Sequence, residues 1–418
     1  MFKFLFYTSF LCLFTLHVRA QSQRGDVLLV TSSELADSWK PFIEWKTKIG
    51  KNVSLVTISH IAQTYQGVDI QEKIRICVRE NIDNGTKWVI LGGDSLPGGR
   101  GVVPDRDTVH INAWGQFYDI PTDIYYISPT NWDTDKDGIY GEIIDDSSDI
   151  TYPDGTIGLG RIPVRSKEDV IAYTKKVISY ESNYPKGDFT NNMIYACSVE
   201  QAQPKLKRSW DDHISKVFRN GQVIRHFINR KTELGDPAEV PSLTPENWVN
   251  MINSKQAGKL HLHGHGFLHC WQLENYKEFT ADHVNLLTNK DAYPIITTVS
   301  CFTGHFDAAT DPSISESMLR APDSGAIAVV APCRSGKPHF INPAQDFELM
   351  ITEGKLDGTT EAMTLFWEKG IGENLTTGEA IMKTKAILAK KASYSVLFHM
   401  CLIELNLLGD PTLPVHYR

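Results

Sequence analysis

Two short segments carry residues that together could do nucleophilic chemistry: Gly264-His265-Gly266 and Val299-Ser300-Cys301. A cysteine attacks as its thiolate, and a neighbouring imidazole is the usual means of making one near neutral pH. Each segment follows a run that reads as a buried strand. Gly258-Lys259-Leu260-His261-Leu262-His263 turns at Gly264, and Pro294-Ile295-Ile296-Thr297-Thr298-Val299-Ser300 delivers Cys301 at its carboxyl end. Parallel α/β sheets gather their chemistry at the carboxyl edge of the strands. Neighbouring strands would therefore bring His265 and Cys301 to one rim. The glycines on either side of His265 permit a tight turn and the close approach of a peptide. Taken alone, a strand-adjacent Cys is more often a buried structural thiol. His261 and His263 alternate with Leu260 and Leu262, so they share one strand face and read as core or supporting residues.

The elements that must hold these segments alternate strand and helix from the start. Asp26–Thr31 reads as a buried strand, Trp39–Lys46 as helix, Val53–Thr57 as strand, Ile70–Asn81 as amphipathic helix, and Trp88–Leu91 as a strand ending in Gly92-Gly93-Asp94. Such alternation implies βαβ units and a parallel sheet. Residues 95–160, rich in Gly, Pro and Asp, read as long irregular rim loops. Ser166–Ser182 is predicted as a helix with the acidic first turn Lys167-Glu168-Asp169. Asn183-Tyr184-Pro185-Lys186-Gly187 reads as a hinge, after which a second α/β half begins at Met193–Ser198. The expected division is a leader over 1–20, an N-terminal α/β subdomain with a long Asp/Gly-rich loop over 21–185, and a catalytic α/β subdomain over 186–418.

Residues 1–20 have the form of a secretory signal peptide: Lys3, the apolar run Phe4–Leu16, and Val18-Arg19-Ala20 before a cleavage point. That run is shorter than the roughly 20 apolar residues of a spanning helix, so the mature chain is expected to be exported and to leave no membrane segment behind. The 418 residues suffice for a sizeable core. A net charge of −8 with no basic stripe argues against nucleic acid as partner. Of seven cysteines, Cys12 leaves with the signal. With Cys301 as nucleophile, Cys77, Cys197, Cys270, Cys333 and Cys401 remain, an odd set without a disulfide framework and with one bridge at most left open.

Asp133-Thr134-Asp135-Lys136-Asp137-Gly138 has the oxygen-ligand spacing of an EF-hand-type loop, with carboxylates at positions 1, 3 and 5 and Gly at 6. It then departs from that template, because position 12 is Ile144. Glu142, with Asp145 or Asp146 as further candidates, would supply the missing oxygens. A structural Ca²⁺ held by Asp133, Asp135, Asp137 and Glu142 is the expectation, against an acidic surface turn. No organic cofactor is implied.

The surroundings of both segments resemble the gingipain-type cysteine peptidases of the caspase-like clan. Gly264-His265-Gly266 is followed after four residues by Trp271, as in the family's GHGxxxxW, and Cys301-Phe302-Thr303-Gly304-His305-Phe306 fits its CxxGxF. Ser315–Arg320 leading into Gly325–Ala331, and Leu408-Gly409-Asp410-Pro411-Thr412-Leu413, resemble its later helix, strand and closing GDPxL. The resemblance implies two side-by-side α/β/α subdomains with mainly parallel sheets, the second caspase-like. It implies Cys301 as nucleophile, His265 as base, and backbone N–H groups of Gly266 and Cys301 as oxyanion donors. Members carry an acidic residue in a Ser-x-Glu context, and Ser198-Val199-Glu200 makes Glu200 the residue that orients the imidazole, ahead of Asp211 and Asp212. Trp210 falls where Arg-specific members have Asp, so the resemblance carries no Arg preference. The family's multidomain members have a long pro-segment. Here the first strand starts within a few residues of the cleavage point, so no separate inhibitory pro-segment is expected.

The expected function is that of a secreted cysteine endopeptidase acting on proteins or peptides through an acyl-enzyme thioester. Two other classes compete. A His-ligated metallohydrolase would use the alternating His261, His263 and His265 with His269 and Cys270, although the Asp and downstream ligands of such a pattern are missing. A catalytically silent peptidase-like module would bind peptides without turning them over.

Overall fold

The computed structural model describes residues 25–111, 117–142, 155–183, 188–198, 217, 223–227, 242–336, 358–392 and 396–416. The leader over 1–20, most of the hinge, Glu200, Trp210, Asp211, Asp212, Ile144, Asp145 and Asp146 lie outside the described residues.

Ten strands form one sheet: β1 (Val27–Thr31), β2 (Val53–Thr57), β3 (Trp88–Gly92), β4 (Gly158–Ile162), β5 (Met193–Cys197), β6 (Val223–Phe227), β7 (Lys259–His263), β8 (Ile295–Thr298), β9 (Ala328–Pro332) and β10 (Leu405–Gly409). Their order across the sheet is β6-β5-β7-β8-β9-β10-β4-β3-β1-β2. All neighbours are parallel except β9 and β10. Strands such as Val27–Thr31 and Ala328–Pro332 are buried along their whole length, which is why they read as unbroken apolar runs rather than alternating ones. Each fully buried Val, Leu or Ile in them contributes roughly 1.5–3 kcal/mol.

The sheet is mostly parallel with helices packed around it, the α/β architecture expected. Strands β1 to β4 lie side by side with β5 to β10 in this one sheet, joined where the last described strand, β10, pairs with β4 through Leu408 and Arg161. The helix Lys167–Asn183 runs where Ser166 predicts its start: the Ser166 hydroxyl accepts the Asp169 N–H at 3.1 Å, and the Asp169 carboxylate accepts the Ser166 N–H at 3.1 Å.

The segment 95–160 corrects the sequence reading. It is not wholly irregular, because Arg106–Ile111 and Phe117–Thr122 form an antiparallel hairpin and β4 begins at Gly158 inside the central sheet. Two glycines hid that strand. A Cβ on Gly158 would lie 2.6 Å from the Trp88 ring, and one on Gly160 would lie 2.6 Å from the Gly409 carbonyl. Close approach of neighbouring strands requires glycine here, and glycine erases the pattern that marks a strand. Among the described residues no helix is long and apolar enough to cross a membrane.

Candidate active site

Strands β7 and β8 are adjacent and parallel, with Leu262 opposite Thr298. His265 and Cys301 each lie three residues beyond that last rung. The turns that follow touch. A Cβ on Gly266 would fall 2.5 Å from Thr303 Cγ2, 2.7 Å from Ser300 Cβ and 3.1 Å from the Cys301 carbonyl oxygen. Only glycine lets the His265 turn seat on the Cys301 turn. Gly266→Ala is therefore expected to push the two turns apart and lower kcat by ~10²-fold, the scale of a misplacement of about 1 Å. Steady-state kinetics on a peptide substrate check this, and unchanged kcat would contradict it.

Backbone and side-chain bonds fix the Cys301 turn. The Thr298 hydroxyl donates to the Leu262 carbonyl at 2.9 Å and accepts the Ser300 N–H at 3.1 Å. Thr303 Oγ1 donates to the Ser300 carbonyl at 2.8 Å. The N–H groups of Phe302 and Gly304 donate to the carbonyls of Arg334 (2.7 Å) and Pro332 (2.9 Å). Phe302 itself has φ of 60°, a left-handed conformation that costs a bulky residue on the order of 1–3 kcal/mol and persists only where its surroundings impose it. The Cys301 thiol points its Sγ at the Gly336 carbonyl, 3.5 Å away.

His265 is exposed on the other turn. Its carbonyl accepts the Gln272 N–H at 3.0 Å, which ties it to the small antiparallel sheet Gly266–Phe267, Cys270–Gln272 and Glu278–Thr280. His261 and His263 face inward. His261 stacks on Tyr195 with ring centroids 5.6 Å apart and has its Nδ1 2.8 Å from Thr297 Oγ1, which also accepts the Trp367 indole N–H. Burial, reinforced by the neighbouring His263, pushes the His261 imidazole well below its ordinary value. It stays neutral and sits in the core.

Metal-ligating atoms do not converge at these histidines. Among the described residues the one such group is Asp133, Asp135 and Asp137, whose carboxylate oxygens lie within 4.8 Å of one another. Glu142 is not in that group. The metallohydrolase reading therefore has no site. No disulfide forms among the described cysteines: Cys77, Cys197, Cys270, Cys333 and Cys401 are buried as thiols, and Cys301 is the one that is partly exposed. Burial pushes the Cys77 and Cys270 thiols up to about 11, which makes them poor nucleophiles.

The family model of peptidase family C25 matches residues 20–416. The chain belongs to this family. It is a cysteine-type endopeptidase, a hydrolase acting on proteins or peptides. No curated protein matches it by sequence. Among solved structures it is similar to the Arg-specific cysteine proteinase gingipain R, with 18% identity and a TM-score of 0.67 over 95% of this chain and 79% of that one. It is similar too to the complex of the pro- and mature domains of Porphyromonas gingivalis RgpB, with 17% identity and a TM-score of 0.65 over 94% and 80%. A further neighbour, described only as a protease, gives 15% and 0.64 over 93% and 77%. At such identities the likeness is one of fold.

Several residues around the Cys301 turn of this family C25 peptidase carry no sequence motif. Arg161 on β4 is fully buried, pairs with Asp123 at 2.8 and 2.5 Å, and lies 4.7 Å over the Phe306 ring. Arg165 donates to the carbonyls of Ala308 (3.2 Å) and Thr310 (2.8 Å) and pairs with Asp94. The N-terminal half thus cradles the chain just past Cys301. Arg334 and Asp307 form a second pair beside it. The one available signal was position: Arg161 and Arg334 sit at or just past the carboxyl ends of β4 and β9, the edge where α/β sheets keep their sites.

Proposed function

We propose that this peptidase is exported and cleaves its substrates through Cys301 and His265, with Glu200 orienting the imidazole. The observation that carries the reading is the seating of the His265–Gly266 turn against the Cys301 turn. His265 takes the thiol proton, and the Cys301 sulfur adds to the scissile carbonyl. Backbone N–H groups of Gly266 and Cys301 hold the resulting oxyanion; one such donor is worth about 2.7–4 kcal/mol in comparable sites. Collapse expels the amine, which leaves with the proton from His265, and a thioester remains. Water, deprotonated by His265, then hydrolyses the thioester and regenerates the thiol. Export rests on the form of residues 1–20, and the N-terminal residue of the exported chain, expected to be Gln21, tests it.

The test of the dyad is covalent labelling of the folded protein with iodoacetamide or a peptidyl acyloxymethyl ketone, followed by peptide mapping. Cys301 is expected to react first, with a rate that collapses in His265→Ala. Labelling at Cys301 no faster than at the buried thiols, and indifferent to His265, would sink the mechanism.

Asp133, Asp135 and Asp137 suit a structural Ca²⁺. Asp133, Asp135 and Asp137 accept the N–H groups of Gly138 (3.4 Å), Asp137 (3.2 Å) and Ile139 (2.7 Å), which curls the loop, and one carboxylate oxygen of each lies within 4.8 Å of the others. Hard oxygen donors of this kind favour Ca²⁺. Adding Ca²⁺ to about 100 times its Kd is expected to stabilise the fold by about 2.7 kcal/mol and to do nothing in Asp135→Ala. Thermal melts with and without Ca²⁺ decide it, and equal shifts in both proteins would refute the site.

A further inference from the structure

We infer that Asp307 and Arg334 are positioning residues for Cys301, a buried clamp that holds the nucleophile turn in its strained working shape. The inference rests on Cys301 being the nucleophile. Arg334 grips the turn at both ends. Its Nη1 and Nη2 donate to Oδ1 and Oδ2 of Asp307 at 2.9 and 2.8 Å, a bidentate pair at the far end. Its carbonyl accepts the N–H of Phe302 at 2.7 Å, next to the nucleophile, and that of Gly336 at 2.9 Å. The Gly336 carbonyl in turn receives the Cys301 Sγ. One residue thus sets the start of the turn, its end and the acceptor that aims the sulfur.

Three further contacts make the clamp rigid. Arg334 Nε donates to the Asp119 carbonyl at 2.7 Å, which anchors the guanidinium to the 106–122 hairpin. His305 Nε2 lies 3.1 Å from Asp307 Oδ1, while the His305 N–H donates to the Phe302 carbonyl at 3.2 Å. Burial would raise the Asp307 carboxyl, but its bonds to Arg334 and His305 hold it well below the usual carboxylate range. The pair therefore stays charged at every pH where the enzyme is expected to work. Both side chains are close to buried, at 11% and 6% exposure, so neither is a loosely solvated surface charge. The fork geometry matters as much as the charge, since a lysine cannot bridge both oxygens and still reach Asp119.

Phe302 supplies the reason a clamp is needed. Its φ of 60° is unfavourable for any residue but glycine or a small polar one. With the guanidinium or its carboxylate partner gone, residue 334 loses its side-chain anchorage; the backbone carbonyl that receives the Phe302 N–H then shifts, and the turn relaxes toward ordinary backbone and moves Cys301. Asp307→Asn and Arg334→Met in the full chain are expected to lower kcat on a peptide substrate by ~10²-fold, with KM changed by less than about threefold, and to slow alkylation of Cys301 in parallel. Arg334→Lys should recover little. Adding Phe302→Gly to Arg334→Met should restore a substantial part of kcat, because glycine adopts the left-handed conformation without help. Should Arg334→Met not fold, the near-isosteric Asp307→Asn with and without Phe302→Gly carries the same comparison. A fall in melting temperature with kcat unchanged, a rise in KM alone, or no rescue by glycine would overturn the inference. Full activity in Cys301→Ala would instead remove its premise, the nucleophile assignment itself.

Discussion

Replacing Cys301 with alanine is expected to abolish peptide hydrolysis, on the order of a 10⁶-fold fall in kcat as when the nucleophile of a catalytic unit is removed. His265→Ala should be of comparable severity, because without the imidazole the thiol keeps its proton and the departing amine has no donor. The two residues act as one unit. The double variant is therefore expected to be no worse than the poorer single, and losses that multiplied would mean that the two act independently. Neither change should unfold the protein, since Cys301 is only partly buried and His265 is exposed. A useful contrast is Cys77→Ala. That thiol is 1% exposed in the helix Ile70–Asp83, far in sequence from either turn, and its removal should lower stability and leave kcat alone. Measuring kcat and urea unfolding on all four variants separates chemistry from folding.

That the turns carrying His265 and Cys301 meet at one sheet edge was legible because the strands that lead into them are local and unambiguous. Lys259–His263, with leucines alternating with histidines, and Ile295–Thr298 are short buried strands that run into turns, and a parallel sheet must present their carboxyl ends at one edge. What the sequence withheld was long-range. Nothing local says that Arg334 will meet Asp307, or that Arg161 will cross to Asp123. These are pairings of single residues across loops, with no period to betray them. The strand Gly158–Ile162 was lost for a different reason, since two of its five residues are glycines, which strands disfavour, kept here for the close packing of Trp88 and Gly409. The junction of the two halves was also hidden. Val396–Glu404 is helix and Leu405–Gly409 is strand, yet the stretch is dominated by apolar residues, broken by His399, Glu404 and Asn406 alone, and so nearly continuous an apolar run does not reveal where one period gives way to the other.

Arg161→Met is the structural change expected to cost most. The guanidinium is fully buried, with Asp123 on one side and the carbonyls of Gly93 and Val103, both at 2.7 Å, on the other. Methionine fills much of the volume but leaves the buried Asp123 carboxylate without its bidentate partner, with only the neighbouring Lys385 charge to offset it, and strips the Gly93 and Val103 carbonyls of the guanidinium donor. Breaking a buried pair in this way costs about 3–5 kcal/mol, whereas replacing both partners by apolar groups costs far less. Arg161→Met with Asp123→Leu is therefore expected to be more stable than Arg161→Met alone, which inverts ordinary additivity for neighbours. Arg161 also lies against the Phe306 ring within the turn that carries Cys301, so the single variant should lose turnover as well as stability, and the double variant should regain stability without regaining all of its turnover. Chemical denaturation and kcat, read on the same three proteins, test both halves. A loss below about 1 kcal/mol in the single variant would mean that Asp123 finds water or another partner, and that the seam between the two half-sheets is softer than its hydrogen bonds imply.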